Sequence, residues 1–167
     1  MSSAKAGSAG RRRFKQMTVG KTGNKMKEDV LVKIKGLHAL REMPGEDVEV
    51  IFPGTCRRLG AAWYIRYDEP VEGFDGGISN LITLRENGIE VEKTGLTSTH
   101  MVFEKGKKTE TWYETPVGEI LLGISALEVS VEEKEESLDA FVHYVLDVGA
   151  QSGAECELSM SICGRGE

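Results

Sequence analysis

The chain is short of nearly everything that would announce a catalytic or secreted protein. It has 3 cysteines, 4 prolines and 7% aromatic residues in 167 positions. Cys56, Cys156 and Cys163 are too few for a disulfide framework. They predict reduced thiols and a cytoplasmic protein. No apolar run approaches the ~18 residues of a membrane span, and the Ser-, Gly- and Arg-rich start lacks the apolar stretch of a secretory signal. No membrane association is therefore expected. Gly-x-Ser-x-Gly, His-x-His and Cys-x-x-Cys do not occur. Gly20-Lys21-Thr22 lacks the upstream glycine of a phosphate-binding loop, because position 15 is Lys15. The three histidines do not converge when placed by strand parity. His38 falls with an inner row, and His100 and His143 fall on outer rows. Cys56 precedes Arg57 and Arg58, whose charges could lower its pKa, but a cysteine on a strand behaves as a small buried hydrophobe. Asp68-Glu69 and the acids of 132–136 read as solvated. No enzyme activity, metal or cofactor is expected.

Acid is also missing from one end. Residues 1–27 carry eight basic side chains and no carboxylate, so the rest of the chain has a net charge of -14 against -6 overall. Such a polar, glycine-rich segment cannot offset its ordering entropy by burial, which predicts a disordered basic tail over 1–28 and one folded domain over 29–167. Arg11, Arg12, Arg13 and Lys15 suit either a nucleic-acid-binding arm, though only weakly, or a solubilising extension resting on the acidic body. A third reading starts translation at Met17. Mass spectrometry of the native N-terminus decides it, since a peptide from residues 2–10 excludes that start.

What the body does have is alternation. Val30, Val32 and Ile34 alternate with lysines, and the period of two recurs over 47–58, 61–72, 78–86, 88–95, 97–105, 107–115, 117–131, 137–149 and 154–163. Turn residues separate these runs. Pro44-Gly45, the glycines of 73–77, Gly106-Lys107 and Ser152-Gly153 mark tight turns, and Asn87-Gly88 suits a two-residue hairpin. The acids of 132–136 lie between two alternating flanks and read as a hairpin loop. Short connections make sequential strands antiparallel. The reading is all-β: an antiparallel meander barrel of about 8–10 strands. Parity points Trp63, Ile65, Tyr67, Met101, Phe103 and Tyr113 inward, as a core or as the lining of a ligand cavity.

Trp63-Tyr64-Ile65-Arg66-Tyr67-Asp68-Glu69, the later Phe103-Glu104-Lys105-Gly106 and Tyr113-Glu114-Thr115-Pro116-Val117-Gly118 together resemble the DUF1934 family of bacterial proteins. The resemblance spans about 29–164. It implies a calycin-like or lipocalin-like barrel, and it brings no catalytic residue. Val117 stands where the usual member has tyrosine, which would enlarge a cavity if that ring lined the barrel. The basic tail lies outside the family pattern. Two functions remain open. One is a cytoplasmic barrel binding a small, largely apolar ligand. The other is a non-enzymatic interaction or regulatory module with a packed barrel, its tail contacting an acidic partner.

Overall fold

The computed structural model describes residues 26–36 and 49–165. The expectations for the tail before Met26, the alternative start at Met17, His38 and the Pro44-Gly45 turn lie outside the described residues. Ten strands follow in order: β1 (Asp29–Lys35), β2 (Glu49–Leu59), β3 (Ala62–Pro70), β4 (Gly77–Arg85), β5 (Gly88–Gly95), β6 (Thr99–Glu104), β7 (Lys108–Thr115), β8 (Gly118–Glu133), β9 (Ser137–Val148) and β10 (Gln151–Gly164). Every ladder is antiparallel, in the order β6-β5-β4-β3-β2-β1-β10-β9-β8-β7. Two meanders, β1–β6 and β7–β10, are thus joined by one non-local pair, β1 with β10.

The predicted alternation is present along the strands. In β1 the burial runs strictly exposed–buried, and in β9 every inward residue from Leu138 to Leu146 is buried. The inner rows merge into one hydrophobic core that includes Ile65, Ile82, Val91, Phe103, Ile124, Val142 and Leu158. Met26 packs against this core, and Cys56 N–H donates to the Glu28 carbonyl at 2.8 Å. Residues 26–28 therefore contact the barrel as well.

The barrel closes incompletely between β6 and β7. These strands share a single bridge, in which Ser98 and Glu114 exchange backbone hydrogen bonds of 3.0 and 2.8 Å. Nearer the turn, the Thr109 hydroxyl donates to the Val102 carbonyl at 3.0 Å, a side chain standing in for a ladder bond. Short hairpins were expected to pair throughout, and this one is splayed between its ends.

Two turns differ from expectation. Arg85 pairs with Gly88, so the β4–β5 turn is Glu86-Asn87 and Gly88 already belongs to the strand. The β9–β10 turn is residues 149–150. Ser152-Gly153 forms a bulge instead, held by the Gly153 N–H donating to Asp147 Oδ1 at 3.0 Å. A second bulge in β8 leaves Leu127 without a partner in the β8–β9 ladder.

Gly95 and Gly118 both have positive φ, +113° and +143°. At Gly118 a Cβ would meet open space, whereas at Gly95 it would lie 2.4 Å from the Gly77 carbonyl oxygen. Gly118→Val is expected to destabilise by about 1–3 kcal/mol through backbone strain alone. Gly95→Ala should cost more, because strain and a backbone clash combine. Denaturant midpoints of the two variants check this order, and an undisturbed Gly95→Ala would show that the β4–β5 end relaxes freely.

Candidate functional site

The alternation that builds the barrel also decides what its interior contains. Of the six predicted lining residues, Trp63, Ile65, Tyr67, Met101 and Phe103 are buried in the core, and Tyr113 is half-buried against it. Tyr67 stacks on Phe52 with ring centroids 4.8 Å apart, and Phe103 meets Tyr144 edge-on at 4.9 Å. Burial raises the pKa of both tyrosines, so their hydroxyls stay protonated. Val117 is 96% exposed in the β7–β8 turn. A tyrosine there would sit on the surface, and its replacement opens no cavity.

Polar groups enter the interior in two places that pattern reading missed. The first lies on β3, β4 and β5. Lys93 follows Ile89 and Val91 on the inner face, and its ammonium donates to Asn80 Oδ1 at 2.8 Å and approaches Glu69 Oε1 at 3.4 Å. Asn80 Nδ2 reaches the same carboxylate at 3.4 Å. Glu69, expected in solvent with Asp68, is instead only 17% exposed and compensates a buried charge. Parity alone would have found Lys93, because it continues a row of buried apolar residues. The cross-strand neighbour of Lys93, Thr99, has a buried hydroxyl with no hydrogen-bond partner.

The second polar group is Glu133, the last residue of β8. Its side chain is wholly buried, so the expectation that all the acids of 132–136 are solvated fails here. Parity explains why: Val131 and Glu133 share the inner face. Arg58 Nη1 lies 3.5 Å from Glu133 Oε2, and the same guanidinium sits 5.4 Å above the Trp63 ring. The Trp63 indole N–H is beside the carboxylate. Neither it nor either Glu133 oxygen completes a hydrogen bond.

Among the described residues the thiols and histidines do not converge. Burial pushes the Cys56 thiol up to about 12, so desolvation overrides the neighbouring arginines. His100 pairs outside with Glu90 at 2.9 Å, and His143 approaches Glu155 at 3.7 Å. On the outer wall, a groove of about 370 Å³ runs over Ser130, Ser159 and Ser161. Lys33 and Lys35 flank it on the β1 side and Glu132 on the β8 side, and Phe141 lies between Ser159 and Ser130.

Glu133 generates a pH test. Burial raises its pKa above the ordinary 4.5, against the opposing pull of Arg58 and Trp63. The folded state thus holds this proton more tightly than the unfolded state. Stability from this group is full below pH 4.5 and falls as pH rises through the folded pKa. Glu133→Gln removes the cost of the buried charge. It should raise Tm at pH 7 by roughly 2–4 °C, the shift that about 1 kcal/mol produces in a domain of this size, with little gain at pH 4. Thermal melts at both pH values check it. A lower Tm at pH 7 would show that the Arg58 pair outweighs desolvation.

A sequence model described as "Domain of unknown function (DUF1934)" matches residues 32–160. No match is found among curated proteins. Among solved structures, the barrel is similar to the crystal structure of ywiB protein from Bacillus subtilis. The TM-score is 0.69 at 16% identity, and the match covers 88% of this chain and 99% of that one. At that identity the likeness establishes the fold. With the family match spanning most of the barrel, the chain belongs to the DUF1934 family.

Proposed function

We propose that this barrel works through its outer surface, as a protein-interaction module with a packed interior, and that it is not an enzyme. One observation carries the reading. Ile65, Ile82, Leu84, Val91, Phe103, Ile124, Val142 and Leu158 have no accessible surface at all. They come from β3, β4, β5, β6, β8, β9 and β10, so they surround the axis. A side chain with no accessible surface touches no space that would admit water. A small-molecule site needs ~300–1,000 Å³. An outer recess and exposed apolar groups support the same reading. The serine-floored groove is that recess, and Ile51 and Trp112 are each more than half exposed on outward rows.

The alternative, a carrier of a small apolar ligand, rests on the barrel architecture and on Tyr113, half-buried beside the splayed seam. The two readings diverge at Trp63. In a packed core, Trp63→Ala leaves a cavity and costs about 3–5 kcal/mol. In a carrier the ring lines space already open, so truncation costs little stability and weakens binding. The expected outcome is that the native protein takes up neither a hydrophobic fluorescent probe nor fatty acids, and that Trp63→Ala lowers the denaturation midpoint by the full cavity cost. Saturable uptake by the wild type, with a mildly destabilised variant, would restore the carrier.

A further inference from the structure

The seam between β6 and β7 carries a distinctive outer face. Trp112 points outward there and is 52% exposed. His100 and Trp112 each lie two residues from the Ser98–Glu114 bridge, so they face one another across the gap. Leu121 is the ladder partner of Trp112, and several outward positions nearby are acidic. Glu92 is the ladder partner of His100, and Glu110 and Glu114 flank Trp112 along β7. Glu119 is the ladder partner of Glu114. All four carboxylates are exposed, and none makes a side-chain hydrogen bond or ion pair among the described residues. An outward aromatic ring edged by exposed carboxylates suits a segment rich in arginine. Guanidinium groups pair with carboxylates and stack on indole faces.

The chain holds one segment of that chemistry. Arg11-Arg12-Arg13-Phe14-Lys15 places four cations and one aromatic ring in five residues. We propose that the outer face of the β6–β7 seam is the docking site of this segment of the same chain, with residues 11–15 laid over Trp112. The inference deepens the reading of the barrel as an outward-working module, because the segment then covers the face on which a basic partner would compete. The register supports its reach. Val30, near the start of the barrel, is level with Gly54, Tyr67, Asn80, Lys93 and Thr99 in successive strands. Thr99, at the β6 side of the seam, therefore lies five strand spacings around the wall from Val30. That arc is about 24 Å at the backbone. The eleven residues from Lys15 to Met26 span up to ~36–40 Å when extended.

The test uses the full chain labelled with ¹⁵N. The two indole N–H signals are assigned with Trp112→Phe, and the wild type is compared at low salt with a triple variant, Arg11→Ala, Arg12→Ala and Arg13→Ala. The expected result is that the Trp112 indole and the amides of His100, Glu110 and Glu114 differ between the two proteins. Raising the salt should move the wild-type signals to those of the variant, because charge contacts at a surface are screened. Acrylamide should quench Trp112 about two-fold more efficiently in the variant, as an indole released to solvent is more accessible. The shifts should not change over a tenfold dilution. Identical seam signals in both proteins at low salt would overturn the proposal. So would shifts that vanish on dilution, which would assign the contact to a second copy. Tail signals that respond to added DNA while the seam does not would overturn it in favour of a nucleic-acid arm. None of these outcomes alters the apolar-probe experiment, so the packed-module reading stands or falls separately.

Discussion

The barrel depends on the pairing of β1 with β10. Each meander can form from local hairpins, but neither can bury both of its edges alone. β1 and β10 are the edges that each would expose, and they are separated by most of the chain. Their register sets Val32 against Ile162 and Ile34 against Met160, so buried residues meet buried residues across the junction. A slip of one residue would turn either whole meander inside out. The cost of closing so long a loop has to be met before these contacts form. Stability of the rest is therefore conditional on a pair with no help from a turn.

Closure at the other pair of edges is weaker, and this has a consequence for the outer wall. Between β6 and β7 the ladder is replaced by one bridge and one threonine hydroxyl. The strands are consecutive, so their proximity is enforced by the turn rather than by hydrogen bonds along their length. Edge strands invite pairing, and charge on the edge is the usual defence. The carboxylates around Trp112 fit that defence.

Much of this was legible in the sequence. Alternation in β1, β3, β6 and β10 places Val32, Trp63, Tyr67, Phe103 and Leu158 correctly, because a half-buried strand leaves a strict period of two. His100 was placed outward by the same rule. The misses share a cause. Glu69, Lys93 and Glu133 are charged residues on inward rows, where residue type and parity point opposite ways. The splayed seam had no signature, since a hairpin that pairs and one that parts after its turn can have the same pattern. Nor could parity distinguish a filled interior from a lined one: both demand large apolar residues facing inward, and only their mutual packing separates the two.

The β4–β5 hairpin shows how the interior polar group earns its place. Asn87-Gly88 as the two turn residues would pair Glu86 with Ile89 and shift the ladder by two. Such a shift keeps every apolar residue on its face, so hydrophobic burial cannot forbid it. It would, however, set Lys93 against Ile82. The observed turn, Glu86-Asn87, sets Lys93 against Asn80, within reach of Glu69. Leaving a buried ammonium without its partners costs ~3–5 kcal/mol, more than the ~1 kcal/mol by which β-turn and strand propensities differ. Alternation therefore fixes the face of each side chain, and the Lys93–Asn80–Glu69 group selects the register from among those that alternation allows.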